Sequence, residues 1–335
     1  MKTIRMGIVG AGVWGATHAF IYNEHPCAQV VAICDQDISR ARAVAGQYNI
    51  PEVYSDYREM AEKCQCDAVA IVTPDFLHAD IAVTFADHGK DMLIEKPLAT
   101  TAEDAKRICD AVERNGVRCM VDLHNRWNPP FNTAYQNISA GTLGTPYSAY
   151  LRHNDVKWVA TDMLSWASKS SILWFLGSHS LDTLRWMFDD DAKRVYSVKK
   201  EGILQRMGVD TADLYLTTIE FRKGGVAQME NGWVTPNGNT NINDFKFSML
   251  CTEGMVSIDA SSHNLIHMVT EEKASTPDIL VSNTVFGKCK GLSYESIRDF
   301  IDRLVDGKEF RVTLEDARRG VLTILAILRS AELGI

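Results

Sequence analysis

Ile4-Arg5-Met6-Gly7-Ile8-Val9-Gly10-Ala11-Gly12-Val13-Trp14-Gly15 is the stretch whose reading decides the fold. A short apolar run leads into a turn at Gly10 and Gly12, and a helix opens near Trp14 with Gly15 in its first turn. This is the G-x-G-x-x-G spacing, and each glycine has a physical task. Gly10 permits a tight turn, Gly12 lets the backbone approach a pyrophosphate, and Gly15 lets the helix pack close to the strand. The helix N-terminus presents N–H groups and a positive dipole end to an anion. Gly-rich turns are common, so the surroundings carry the weight. The motif follows a strand, precedes a helix over 14–24, and is followed by a second strand over 28–34. That strand ends in Asp35, about 20 residues past Gly15.

Outward from this unit, strands and helices alternate. Asp37 caps a helix to about Tyr48, with Ala41, Val44 and Ala45 on its inner side, and Pro51 closes it. A short helix near 56–64 precedes an apolar run over 67–72, suited to a parallel strand buried on both faces. Thr73-Pro74 breaks the chain at the end of that strand. His78 lies early in the next helix, which stops at Gly89. Residues 91–94 form a strand ending in Glu95-Lys96-Pro97. Thr101 and Asp104 open a further helix as a capping box, and 117–123 is the next strand. Such alternation specifies a doubly wound α/β parallel sheet of Rossmann type, with its ligand crevice at the C-terminal strand ends. The glycine turn, Asp35, Thr73-Pro74, Glu95-Lys96-Pro97 and the chain after Asp122 all fall on that edge. A nucleotide-binding domain is drawn over 1–122.

The pattern then changes, and a C-terminal α+β domain is drawn over 123–335. A helix is expected over 129–140, a strand over 146–153, a Trp-rich loop, and a helix over 171–188. Strands over 212–221 and 226–234 flank Lys223-Gly224-Gly225, and strands over 242–251 and 255–259 flank Glu253-Gly254. These imply an open, mainly antiparallel sheet. One face packs on helices; the other, also apolar, meets a second subunit, as a homodimer or homotetramer. Two helices, 293–306 and 313–333, close the chain, the second opened by Thr313 and Asp316.

The 335 residues are 46% hydrophobic and 23% charged, ordinary for a globular chain of two domains. A formal charge of -8 argues against a nucleic-acid or anionic-membrane partner. The most apolar run, 321–328, is too short to span a bilayer, and the N-terminus enters a strand without a signal-peptide pattern. A cytoplasmic protein is expected. The eight cysteines are scattered, with Cys64 and Cys66 the only close pair, and read as reduced thiols; no metal site is expected.

At Glu95-Lys96-Pro97-Leu98 the chain resembles the Gfo/Idh/MocA family (glucose–fructose oxidoreductase, inositol dehydrogenase, rhizopine catabolism). The resemblance also rests on the glycine turn, Thr73-Pro74 with His78, Arg126 with Pro129, and Gly141 with Gly144. It continues through Gly177-Ser178-His179 with Asp182, Trp233 with Pro236, and Val312-Thr313-Leu314-Glu315-Asp316. It implies NAD(P)-linked oxidation of a hydroxyl on a sugar, glycoside or cyclitol, without identifying the substrate.

The expected cofactor contacts are Gly10, Gly12, Val13, Trp14, Gly15, Asp35, Thr73, Pro74, His78, Glu95 and Lys96. The Asp35 carboxylate suits two ribose hydroxyls and repels a 2′-phosphate, which favours NAD over NADP; Arg40 is expected to face solvent. Lys96, held extended by Pro97, is placed to stabilise a developing alkoxide. The resemblance gives this Lys both nicotinamide and substrate contacts. His179 is the expected general base for the hydroxyl proton. The family usually carries an Asp four residues earlier, where this chain has Phe175; Asp182 or Asp155 is expected to supply the charge instead. Asn125, Arg126, Trp127, Arg152, Asp155, Trp158, Trp166, Trp174 and Phe175 are expected on the substrate side, aromatic faces against a ring and polar groups on its hydroxyls. Two alternatives stand beside the dehydrogenase. One is a redox-neutral enzyme with tightly bound NAD that cleaves glycosides, epimerises or transhydrogenates. The other is a non-catalytic NAD- and sugar-binding protein.

Overall fold

Ile4–Val9 form β1, the strand that leads into the glycine turn, in a computed structural model that describes residues 2–261, 265–272, 274–276 and 279–335. The following strands are β2 (Ala28–Cys34), β3 (Glu52–Tyr54), β4 (Ala68–Ile71), β5 (Asp91–Ile94) and β6 (Cys119–Val121). They lie in the order β3-β2-β1-β4-β5-β6, all parallel. Helices α1 (Val13–Glu24), α2 (Ile38–Tyr48), α3 (Tyr57–Lys63), α4 (His78–Asp87) and α5 (Ala102–Asn115) alternate with them. The doubly wound sheet is therefore as expected. Strand order reverses between β1 and β4, where Val9 pairs with Ile71, so the loops after these two strands open side by side. Every residue of β4 is fully buried, which explains its unbroken apolar run. Asp37 caps α2 by accepting from the Ser39 N–H at 3.1 Å, and Thr101 caps α5 by accepting from the Asp104 N–H at 3.0 Å. The three-residue β3 escaped the sequence reading because it is too short to show a period.

Two compact units emerge. The first holds the residues up to Leu123 with Thr284–Cys289 and Ser293–Val321; the second holds His124–Asn283, Lys290–Leu292 and Leu322–Ile335. Much of the C-terminal helical region thus joins the first unit, outside the 1–122 boundary drawn from the sequence. Arg118 shows one reason: its guanidinium lies 4.4 Å from the Phe310 ring centroid and donates to the Arg303 carbonyl at 3.1 Å.

The second unit begins with a turn at His124–Trp127 and helix α6 (Pro129–Ser139). Its sheet has the order β12-β11-β7-β10-β9-β8. The strands are β7 (Pro146–Val156), β8 (Ala192–Lys200), β9 (Leu214–Phe221), β10 (Val226–Thr235), β11 (Asn243–Cys251) and β12 (Met255–Asp259). All neighbours are antiparallel except β7 and β10, which run parallel. β8 went unforeseen because four Lys and Arg residues mask its alternation. Burial in β9 alternates cleanly: Tyr215, Thr217, Ile219 and Phe221 are buried while Leu216 is 47% exposed. The single helix expected over 171–188 is instead a π-helical turn, Leu173–Gly177, followed by α7 (Ser178–Phe188). α7 packs on β7 and β10. Helices Leu292–Asp306 and Leu314–Leu333 close the chain; Thr313 Oγ1 accepts from the Asp316 N–H at 3.0 Å and the Asp316 carboxylate accepts from the Thr313 N–H at 3.3 Å. Among the described residues no helix is long and apolar enough to cross a membrane.

Candidate active site

The glycine turn of the first unit has three different glycines. Gly10 adopts φ +106°, and a Cβ there would sit 2.3 Å from the Val72 carbonyl oxygen. A Cβ on Gly15 would sit 1.9 Å from the Gly10 carbonyl oxygen. Neither position accepts a side chain. Gly12 differs: a Cβ would meet nothing within 4 Å. Gly12 is also the N-cap of α1, without a side-chain cap, and the first turn carries no acid. The open space in front of Gly12 therefore faces backbone donors and a positive helix end, the cradle a pyrophosphate requires. Val13 is exposed and Trp14 partly so.

Asp35 follows β2 and braces this turn. Its Oδ2 accepts from the Ala11 N–H at 2.7 Å and its Oδ1 from the Asp37 N–H at 2.9 Å. Arg40 does not simply face solvent. Its guanidinium lies 3.7 Å from Asp35 Oδ2 and 3.7 Å from Asp37 Oδ2, although its side chain is 55% exposed. The cradle and the acid beyond it fit an NAD adenosine, and the Asp35 charge is what a 2′-phosphate would meet first.

Thr73 and Pro74 follow β4, both half-buried. His78 is fully buried, with Nδ1 2.8 Å from the Pro97 carbonyl oxygen and Nε2 3.0 Å from that of Thr73. Burial pushes its pKa down, against the two carbonyls, which favour the charged ring. Its ring thus joins the loop after β4 to the loop after β5. Lys96 follows β5, is half-buried, and precedes a cis peptide to Pro97. Glu95 points inward: its Oε1 accepts from His18 Nε2 at 3.0 Å. His18 Nδ1 then accepts from the Tyr22 hydroxyl at 3.1 Å. Burial, then the charges of Asp122 and Glu95, push the Tyr22 pKa well above its ordinary value, so the hydroxyl keeps its proton. Ligand-type atoms of His18, Glu95 and buried Asp122 all lie within 4.8 Å of one another. The sequence reading missed His18 and Asp122. Their signals were present: His18 and Tyr22 stand one turn apart on the helix opened by the glycine motif, and Asp122 directly follows an apolar strand.

In the second unit, His179 sits in the first turn of α7 and is 5% exposed. The His124 ring lies against it, centroids 4.4 Å apart and planes tilted by 40°. His124 also escaped the sequence reading. Asp182, expected to charge His179, is turned to Arg126 instead: its Oδ2 accepts from Arg126 Nε at 3.0 Å and its Oδ1 from Nη2 at 2.6 Å. Arg126 is accordingly held in a largely buried ion pair. Buried Asp155 accepts from the Asn243 side-chain amide. Arg152 pairs with Asp244 at 2.9 Å. Asn125 donates to Thr183 Oγ1 at 2.7 Å, and Thr183 donates to the His179 carbonyl at 2.8 Å, which ties the turn after β6 to α7.

Phe175 lies in the π-helical turn, so the four residues to His179 are not one α-helical turn as the sequence reading assumed. Its half-buried ring lies 6.4 Å from Trp166, edge-on, and 5.8 Å from the fully buried Trp233. The expected aromatic group therefore separates. Trp166 gathers with Phe175, and Trp174 is 5% exposed, in the core. Trp127 and Trp158 are half-buried, and the Trp158 N–H donates to Asn237 Oδ1 at 2.9 Å.

Comparison with known proteins gives the family and the fold. Residues 4–123 match the model described as "Oxidoreductase family, NAD-binding Rossmann fold", and residues 131–257 match the "GFO/IDH/MocA C-terminal domain". The chain is 27% identical over 283 residues to the scyllo-inositol 2-dehydrogenase (NAD(+)) of Bacillus subtilis, covering 83% of this chain and 80% of that one. It is 30% identical over 196 residues to the inositol 2-dehydrogenase of Salmonella paratyphi B, covering 58% of this chain and 57% of that one. Among solved structures, scyllo-inositol dehydrogenase from Lactobacillus casei, with bound NAD(H) and scyllo-inositol, superposes with a TM-score of 0.85 at 18% identity. That match covers 99% of this chain and 98% of the other.

Proposed function

The chain belongs to the Gfo/Idh/MocA oxidoreductase family, and from that premise we propose that it oxidises a ring hydroxyl of a cyclitol, or of a sugar or glycoside, with NAD as oxidant. The observation that carries the reading is the glycine cradle, open only at Gly12 and backed by Asp35. NAD, when bound, supplies a hydride acceptor. The chain's own residues do the remaining work. Residues of the glycine turn bind the pyrophosphate, and Asp35 selects the unphosphorylated ribose. His179, as a neutral imidazole, takes the hydroxyl proton, and the Lys96 ammonium donates to the oxygen as charge develops on it. His179 then passes the hydroxyl proton on to solvent.

Absorbance at the NADH band tests this directly, with NAD or NADP against inositols, hexoses, glycosides and uronates. The expected outcome is NADH growth with NAD and a cyclitol or sugar group, and little with NADP. A flat trace with substrate consumed, followed by chromatography, would favour closed redox cycling. A flat trace with nothing consumed would sink the proposal.

We further infer that the outer face of the C-terminal sheet pairs with a second copy. Tyr150, Leu216, Val226 and Leu250 project outward from four adjacent strands and are 42–51% exposed, an apolar band that solvent does not favour.

A further inference from the structure

Lys96 stands between two residues that are each held by a fully buried imidazole. On one side, Glu95 Oε1 accepts from His18 Nε2 at 3.0 Å; on the other, the Pro97 carbonyl oxygen lies 2.8 Å from His78 Nδ1. We propose that His18 and Tyr22 are positioning residues for Lys96: they fasten the end of β5 to α1, the helix whose N-terminus forms the glycine cradle, and so set where the ammonium is presented. This deepens the proposed function and rests on reading Lys96 as the group that donates to the reacting oxygen.

All of these residues lie in the first unit. β4 separates β1 from β5 in the sheet, and α1 packs on β1 and β2. A link from α1 to the end of β5 therefore has to be made by side chains that reach across, and His18 and Glu95 make it. His18 stands three positions past Gly15, and Tyr22 four past His18, so the three share one buried face of α1. Gly15 closes on the Gly10 carbonyl of the turn, and the His18 ring extends from the same face to Glu95.

The chain of bonds has one sense. A carboxylate buried as far as Glu95 costs stability unless donors meet it, and the His18 N–H is one. With the proton on Nε2, Nδ1 accepts, and the Tyr22 hydroxyl donates to it at 3.1 Å. Burial keeps that hydroxyl protonated. Tyr22 also meets the imidazole edge-on, centroids 5.6 Å apart and planes at 66°. The ring is thus fixed at both nitrogens and on an edge, and it passes the position of α1 to Glu95.

Backbone bonds carry the strand only as far as this point. The Asp122 N–H donates to the Ile94 carbonyl at 2.9 Å, and the Glu95 N–H to the Ile71 carbonyl at 2.9 Å. β5 ends at Ile94, and the two imidazoles take hold where the ladder stops, one residue to either side of Lys96.

The test compares His18→Leu, which removes both bonds, with His18→Gln, whose amide retains a donor for Glu95, in the full chain. Reductive methylation with formaldehyde and cyanoborohydride, read lysine by lysine by mass spectrometry, reports on Lys96 without turnover. Lys96 should react about threefold faster or more in His18→Leu and return toward the wild-type rate in His18→Gln, while Lys90, at the other end of β5, stays within about twofold. An unmoved Lys96 rate would overturn the proposal, and so would equal acceleration of Lys96 and Lys90, which means general loosening of β5. Should His18→Leu fail to fold, Tyr22→Phe decides, because it keeps the ring and loses the donor to Nδ1. Lys96 should then react about twofold faster, and an unchanged rate would overturn the proposal. Kinetics with NAD and scyllo- or myo-inositol give a second readout. In His18→Leu, kcat should fall about tenfold or more and recover in His18→Gln, with the Kd for NAD by calorimetry within about threefold of wild type. An equal loss of NAD affinity would assign His18 to the cradle and overturn its role at Lys96. Lys96→Met separates the two readings. Turnover within about tenfold of wild type removes Lys96 from the chemistry. Loss of turnover in Lys96→Met with kcat unmoved in His18→Leu removes only the role of His18.

Discussion

Gly12 and Gly15 differ by three positions and by almost everything else. At Gly15 a methyl group would fall 1.9 Å from a backbone oxygen, so Gly15→Ala forces helix and strand apart. Denaturant unfolding should show a loss of about 2 kcal/mol or more, as overpacking does. At Gly12 the same methyl enters open space, so Gly12→Ala should alter stability by less than about 0.5 kcal/mol. It should nonetheless weaken NAD binding at least tenfold by calorimetry, because the methyl occupies the space left for the pyrophosphate. Unchanged NAD affinity in Gly12→Ala would mean that the opening is not where the dinucleotide lies. The glycine tasks were legible in sequence because steric demand on a backbone is local. His124 was not, because a ring contact across 55 residues leaves no local pattern.

Elements were most legible where a cap or a period marked them. Asp37, Thr101 and Thr313 each accept from an N–H at the start of the helix that the sequence assigned to them. Thr101→Ala should cost about 1 kcal/mol in thermal or chemical unfolding, and Thr101→Ser should recover most of it. Equal stability of Thr101→Ala and wild type would show the cap to be idle. The π-helical turn before α7 had no such mark. Leu173–Gly177 is an apolar run whose composition suits an ordinary helix, and the turn packs against β7 and β10. This shift removes the simple spacing argument that set Phe175 beside His179.

For the whole molecule, the consequential surface is the outer face of the C-terminal sheet. Val198 opposes Leu216 across β8 and β9, while Tyr150 lies beside Gln228 on one side and Ser248 on the other. Leu216→Lys with Leu250→Lys should halve the mass found by light scattering while leaving the circular dichroism spectrum intact. A wild-type mass of one chain would refute pairing through this face. Apolar and polar residues mixed on both sides of β9 obscured its alternation in the sequence, and only the register of β9 between β8 and β10 sorted them into inner and outer.

The sequence by itself determined the glycine turn, the six-strand parallel frame minus β3, the acid after β2 and the lysine after β5. These rest on backbone sterics, burial on both faces and chain order, all of which act over a few residues. The tertiary structure alone decided the partners of the ionisable groups. Asp182 goes to Arg126, Glu95 to His18, and the His179 ring meets His124. Pairing of buried charges is settled by which side chains the packed elements bring within hydrogen-bond reach, and the chain order of those residues carries no record of it.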